Sequence, residues 1–76
     1  MERVFGRTIG ERIKLLRESR GLTQEELAKE FCLAHGGVVS NYEKDKRKMP
    51  TDLVVSYSKK FKVTTDWILK GENKVS

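Results

Sequence analysis

Residues 22–47 constrain the fold most, because they hold two short helical patterns separated by a break. Thr23 can cap the first helix while Glu26, three residues later, reaches back to the cap, which is the pattern of a capping box. The apolar residues that then share one helix face are Leu27, Ala28 and Phe31. The segment therefore begins with a short amphipathic helix.

The break covers residues 32–37, where the pair Gly36-Gly37 opposes continuous helix. A second helix resumes with Val39 and Tyr42, which lie three residues apart and therefore on one side. The polar residues that face elsewhere are Ser40, Asn41 and Lys44. Two short helices, an apolar hinge and a polar outer face on the second helix predict a helix-turn-helix, a motif that reads a nucleic-acid groove.

A first helix precedes this motif. Thr8 and Glu11 form a second capping-box pattern at its start, and Gly21 occupies the place of a glycine that ends a helix. Its buried stripe is Ile9, Ile13 and Leu16, and the residues expected outside are Arg12, Lys14 and Glu18. Residues 1–7 are expected to form an N-terminal arm, residues 8–72 the domain and residues 73–76 a tail.

Two further helices follow the motif. Thr51 is expected to cap helix 4, just after the only proline of the chain. One face of helix 4 carries Val54, Tyr57, Ser58 and Phe61. Thr64 caps a short helix 5 that ends at Gly71, and Trp67 with Ile68 or Leu69 closes the core. No β pattern occurs, so the sequence predicts one compact all-α domain of five short helices.

The charge of the chain suits a polyanionic partner. Its net charge is +5 and its pI is near 9.6. Residues 1–43 hold seven basic and seven acidic side chains, whereas residues 44–76 hold nine basic and four acidic ones. The basic excess therefore begins where the second helix of the motif ends.

Several separated motifs stand in one order: LTQEELA, then SNYE, then a loop rich in lysine and arginine, then TTDWILKGE. In these motifs residues 9–72 resemble the Xre-like family of phage repressor and Cro-type DNA-binding domains. The resemblance implies a five-helix lambda-repressor-like fold and double-stranded DNA as the partner. It also implies that Arg17 bridges to Glu43 and that Gln24 contacts a phosphate. The chain departs from the family by one extra residue before SNYE and by its Gly-Gly pair.

The extra residue raises the question of which valine faces inward. A helix registered on Val39 also packs Tyr42 and brings Glu43 into phase with helix 1, whereas registration on Val38 buries Asn41. Burying an amide without partners costs roughly 1–3 kcal/mol, so the Val39 register is expected. The surplus residue is then taken up within residues 34–37 by backbone conformations open to glycine.

The candidate DNA contacts fall into two sets. Those expected to contact bases are His35, Gly37, Ser40, Asn41 and Lys44. Those expected to contact phosphates are Thr23, Gln24, Gly36, Lys46, Arg47 and Lys48. Asn41 is the main candidate, because a carboxamide pairs bidentately with adenine in the major groove. The alternative is that these residues form only the solvated face of a short helix and a solvated loop.

The sequence lacks complete sets of residues for metal binding, for a catalytic triad and for a glycine-rich phosphate loop. Cys32 and His35 have the spacing of half a metal site, but no second pair completes it. One histidine beside a glycine pair makes no catalytic triad, and no phosphate-cradling glycine loop is present. A single cysteine fits a reducing cytosol, and the short apolar runs predict neither a transmembrane helix nor a secretory segment. We therefore expect no enzyme, metal, cofactor or membrane partner.

The resulting hypothesis is a sequence-specific transcriptional regulator of the cytoplasm and nucleoid, a repressor that binds a palindromic operator as a homodimer. The residues that look partly surplus to the core are Leu53, Val55 and Ile68, and whether they form the dimer face is left open by the sequence. One alternative is an antitoxin that represses its own operon while holding a partner protein. The other is a protein-interaction module that binds no DNA, which Asn41 and the basic residues oppose.

Overall fold

The computed structural model of this protein describes residues 8–71, and the regular secondary structure within that range is entirely helical. The five helices in chain order are α1 (Ile9–Ser19), α2 (Gln24–Glu30), α3 (Gly36–Glu43), α4 (Thr51–Phe61) and α5 (Thr65–Lys70). The predicted all-α class is therefore confirmed. The predicted arm at residues 1–7 and tail at residues 73–76 lie outside the described residues.

Threonine side chains cap three of the helices at the predicted places. The hydroxyls of Thr8 and Thr64 each accept a bond from the backbone N–H three residues ahead, at 3.1 and 3.0 Å. Thr23 and Glu26 form the complete capping box, with bonds of 3.0 and 2.9 Å. Each cap satisfies N–H groups that have no partner within the helix.

The start of α4 differs from the prediction. Pro50 is the residue before the first turn and makes no side-chain cap, while Thr51 is already helical, so the predicted Thr51 cap is wrong. Proline suits this place because its ring fixes a φ close to that observed, −65°. Gly21 has a positive φ of 68° and follows Arg20, the residue that caps the end of α1. Gly71 has a positive φ of 76° and itself caps the end of α5. These two helix ends match the prediction.

One hydrophobic core joins the helices. Its largest fully buried side chains are Ile13, Leu27, Val39, Tyr57 and Ile68. On α4 the predicted inner face is correct, and the half-buried Ser58 donates from its hydroxyl to the Val63 carbonyl at 2.6 Å. Leu53 and Ile68 belong to this core, so the expectation that they are surplus to it is wrong. Among residues 8–71, the large apolar residues left exposed are Val55 and Leu69.

Arg12 corrects another expectation, because it is buried rather than exposed. Its Nε donates to the Ile68 carbonyl at 2.7 Å and its Nη2 donates to the Leu69 carbonyl at 3.0 Å. Those carbonyls lie in the last turn of α5, where a cation is also favoured by the helix dipole. Burial lowers the pKa of Arg12 from its ordinary value. The guanidinium therefore attaches α5 to α1.

Candidate nucleic-acid interface

The turn between α2 and α3 is shorter than predicted. The prediction that Gly36 and Gly37 interrupt the helix is wrong, because α3 begins at Gly36. Among the residues of the turn it is Cys32 that takes the left-handed conformation, with φ of 58°. The Leu33 N–H donates to the Ala28 carbonyl at 2.8 Å, which closes the end of α2. The surplus residue is therefore not absorbed by glycine conformations.

Gly36 is buried where the first turn of α3 meets the start of α2. A Cβ at this position would lie 2.9 Å from the Glu25 Oε1 and 3.0 Å from the Glu25 backbone nitrogen. The Gly36 N–H donates to that same Oε1 at 2.9 Å. Glycine is thus required by the close approach of two helices, and Glu25 satisfies one of the free N–H groups of α3.

His35 caps α3, and Gly37 makes room for it. The His35 Nδ1 accepts from the Gly37 N–H at 3.0 Å. A Cβ on Gly37 would lie 2.8 Å from the His35 Cε1 and 2.9 Å from its Nδ1. In the neutral imidazole the proton is then on Nε2, since Nδ1 acts as the acceptor. The exposed ring therefore offers a hydrogen-bond donor at the start of α3.

The inner face of α3 follows the predicted Val39 register. Val39 is fully buried and Tyr42 is buried, whereas Val38 is only half-buried. Ser40 and Asn41 are half-buried and belong to the rest of the helix surface. The core-facing valine and tyrosine consequently fix which side chains α3 leaves available to a partner.

Glu43 connects three helices. Arg17 on α1 donates from Nε to its Oε2 at 2.7 Å, so the ion pair that the resemblance implies is present. Gln24, the first residue of α2, donates from Nε2 to its Oε1 at 3.0 Å. Arg17 also donates to the Leu22 carbonyl at 2.7 Å. The hydrogen bond to Glu43 raises the pKa of Arg17 above its ordinary value. The network holds α1, the start of α2 and the end of α3 in one arrangement.

A basic segment follows α3 directly. Its cationic side chains are all exposed, and they belong to Lys44, Lys46, Arg47 and Lys48. Asp45 lies among them with a φ of 60°. Its carboxylate accepts from the Gly10 N–H at 2.9 Å and from the Thr8 hydroxyl at 2.6 Å. The basic segment concentrates positive charge at the C-terminal end of α3. The bonds of Asp45 place the segment beside the start of α1.

The candidate contact residues are adjacent in the structure, on the start of α2, on α3 and on the basic segment. Those exposed are Thr23, His35, Gly37, Lys44, Lys46, Arg47 and Lys48. Gln24, Ser40 and Asn41 are half-buried. Gly36 is buried and its N–H is bonded to Glu25, an arrangement that does not favour the phosphate contact predicted for it.

Sequence reasoning missed two acidic residues that shape this surface, Glu25 and Asp45. An isolated acid within a run of basic residues is the signal that marks Asp45 in the sequence. Glu25 carries no such signal, because acids in the first turn of a helix are common. Within residues 8–71, no cluster of three His, Cys, Asp or Glu side chains is arranged to hold a metal ion. The helices in that range are too short or too polar to span a membrane.

Comparisons with known proteins agree with this geometry. A family model described as a helix-turn-helix domain matches residues 10–74. The HTH-type transcriptional regulator ImmR of Bacillus subtilis (strain 168) is 36% identical over 69 residues, which are 91% of this chain and 53% of that protein. The chain thus spans about half the length of this curated relative.

A solved structure has the same fold. It is the crystal structure of the P22 c2 repressor protein in complex with synthetic operator 9T in the presence of Tl+. The two chains superpose with a TM-score of 0.78 at 24% sequence identity, over 88% of this chain and 100% of the other. This likeness confirms the predicted fold of the phage-repressor type.

Proposed function

Because this chain belongs to the helix-turn-helix domain family, we propose that it binds double-stranded DNA in a sequence-specific way and regulates transcription as a repressor. Repression would follow from covering an operator and competing with polymerase. The relatives support this proposal, since one is named a transcriptional regulator and the other is a repressor bound to operator DNA.

The register of α3 is the observation that carries the proposal. With Val39 and Tyr42 packed inward, the polar side chains of Ser40, Asn41 and Lys44 occupy the remaining surface of the helix. A helix of this size enters the major groove with such a face toward the base edges. Asn41 is the main base reader in this proposal, because its carboxamide can pair with adenine.

Phosphate contacts come from the two ends of this surface. The start of α2 supplies Gln24, whose Nε2 donates one hydrogen to Glu43 and has a second to offer a phosphate. The basic segment supplies Lys46, Arg47 and Lys48. Such contacts set the register and orientation of the protein on the duplex, while base contacts supply the specificity. Neutralised phosphates release counterions, so binding must weaken as salt concentration rises.

A salt titration with a matched pair of variants tests this proposal. Affinity for a random-sequence duplex is measured over a range of salt for the wild type, Arg47→Ala and Lys59→Ala, an exposed cation on α4. We expect Arg47→Ala to lower the log–log slope by about 0.9, the contribution of one phosphate. Lys59→Ala should leave the slope unchanged. Salt-independent binding by the wild type would refute the proposal.

Specificity is tested separately with a sequence selected from random DNA. Asn41→Ala should lower the preference for the selected sequence over random duplex by roughly 1–3 kcal/mol. Its affinity for random duplex should change little, because the substitution removes no charge. Unchanged preference would remove Asn41 from the reading surface.

We further propose that the protein binds a two-fold operator as a homodimer. One recognition helix reads few base pairs, and a dimer doubles the site. The exposed apolar side chains of Val55 and Leu69 are the candidates for the dimer face, since Leu53 and Ile68 are in the core. Sedimentation with and without a palindromic duplex measures the stoichiometry. One protein per complete palindrome at saturation would contradict the dimer.

A further inference from the structure

Asp45 joins the end of α3 to the start of α1. Its Oδ2 accepts from the Thr8 hydroxyl at 2.6 Å and its Oδ1 accepts from the Gly10 N–H at 2.9 Å. Gly10 allows the two elements to approach, because a Cβ there would lie 2.3 Å from the Glu43 carbonyl oxygen. This close approach brings the Asp45 carboxylate within hydrogen-bond distance of Thr8 and Gly10.

One feature disfavours aspartate at this position. The left-handed φ of 60° is not that feature, because aspartate adopts this conformation more readily than most residues other than glycine. The feature is its negative charge, which lies among the cations of Lys44, Lys46 and Arg47, where it opposes the approach of a polyanion. This unfavourable charge is explained by what the carboxylate binds, which is the start of α1.

Packing holds residues 45–49 only at their far end, where the half-buried Met49 contacts the core. The exposed residues 45–48 border an open cavity of about 250 Å³ that Ile9 and Tyr42 also line. Backbone bonds from the Asp45 N–H to the Tyr42 carbonyl at 3.1 Å and from the Lys46 N–H to the Asn41 carbonyl at 2.9 Å attach the segment to α3 alone. The Asp45 carboxylate adds the attachment to α1.

We propose that Asp45 is a positioning residue for DNA binding. Its carboxylate fixes Lys46, Arg47 and Lys48 in the orientation in which they meet phosphates, although its own charge opposes the duplex. This assignment rests on the proposed function. It predicts that removing the Asp45 carboxylate weakens DNA binding. Charge alone predicts the opposite, because removing an acid from a basic surface strengthens its attraction for a polyanion.

The test compares two substitutions that each remove one negative charge. Asp45→Gly removes the carboxylate and relieves the left-handed backbone, while Asp66→Asn removes an exposed acid from the first turn of α5. Affinity for a random-sequence duplex is measured over a range of salt, and thermal unfolding shows that each variant is folded. Asp66→Asn should bind at least as tightly as the wild type with an unchanged salt slope.

Asp45→Gly should bind more weakly, with a slope lowered by about 0.9 for each phosphate that the basic segment no longer neutralises. A folded variant that merely became less stable would keep the slope. Tighter binding by both variants with equal slopes would overturn the assignment. If the wild type itself binds no duplex at low salt, the proposed function fails, and this assignment fails with it.

A second pair of variants changes no charge and covers the case in which Asp45→Gly does not fold. Thr8→Val removes the hydroxyl that donates to Asp45 and also the cap of α1, whereas Thr8→Ser keeps both. Loss of the cap alone lowers stability and leaves the salt slope of the folded protein unchanged. We expect the valine variant to lower the salt slope and the serine variant to retain the wild-type value. Equal slopes for the two would overturn the assignment.

Discussion

The Glu43 side chain is 2% exposed and its partner Arg17 is 10% exposed, so the ion pair that joins α3 to α1 is a buried one. Arg17 also donates from Nη2 to the Glu43 Oε1 at 3.2 Å, which makes the pair bidentate. A bidentate arrangement fixes the relative orientation of two side chains as well as their separation. The α3 helix is therefore held at its C-terminal end by directional bonds.

Arg17→Met should lower the free energy of unfolding by about 3–5 kcal/mol, because it leaves the Glu43 carboxylate buried without its cation. An exposed pair would cost only about 0–1 kcal/mol, so chemical denaturation separates the two cases. The control is the double variant Arg17→Met/Glu43→Gln, in which no unpaired charge remains. It should recover part of the loss, and a single variant within error of the wild type would contradict the prediction.

Val39→Ala should cost more stability than Val38→Ala. Val39 is fully buried, and removing its two methyl groups costs roughly 2 kcal/mol through reduced burial and the cavity left behind. Val38 is half-buried and should cost clearly less. Denaturant midpoints of the two variants, measured side by side, provide the comparison. A larger loss from Val38→Ala would mean that α3 has the other register.

Three of the helix caps and the register of α3 could be predicted from the sequence, because they depend on residues close together in the chain. Thr8, Thr23 and Thr64 each bond to a backbone N–H only three residues away. The choice of Val39 over Val38 needed only the cost of burying Asn41. Local rules sufficed for these features, since no distant partner enters them.

The burial of Arg12 could not be predicted from the sequence, because its partners are the Ile68 and Leu69 carbonyls, more than fifty residues further along the chain. The prediction that the pair Gly36-Gly37 interrupts the helix was wrong for a related reason. Helix propensity places Gly36 in a break, whereas packing against Glu25 of α2 requires glycine inside the helix. Both cases depend on tertiary contacts that overrule a local pattern.

Gly36→Ala and Gly37→Ala should change the free energy of unfolding by different amounts, although both replace glycine in the first turn of α3. At Gly36 the new methyl group meets the Glu25 backbone nitrogen at 3.0 Å, and such overpacking costs about 1–3 kcal/mol. At Gly37 it meets only the His35 ring, which can rotate away, and the gain of up to about 1 kcal/mol in helix propensity offsets the missing cap. Denaturant unfolding of both variants decides, and equal losses would contradict the packing explanation.

Tyr57 lies in the centre of the core, with its ring centroid 4.8 Å from that of Phe31 and 5.9 Å from that of Phe61. Within residues 8–71 its hydroxyl has no hydrogen-bond partner. Tyr57→Phe keeps the ring contacts and removes this hydroxyl. We expect the free energy of unfolding near neutral pH to stay constant or to rise by about 1 kcal/mol, because an unsatisfied buried hydroxyl is destabilising.

The same substitution should change the response to alkaline pH. Burial, and to a lesser extent the Glu43 charge, raises the pKa of Tyr57 above its ordinary value of 10.0. Above about pH 10 the unfolded chain therefore releases a proton that the folded protein keeps, and the free energy of unfolding falls by up to about 1.4 kcal/mol per pH unit. The contribution of neutral Tyr57 to the free energy of unfolding is complete below about pH 10 and is lost as the pH rises above that value. Denaturant unfolding at about pH 9 and about pH 11 should show a larger loss for the wild type than for Tyr57→Phe, which lacks the ionisable hydroxyl. Equal losses would show that the Tyr57 pKa is not raised.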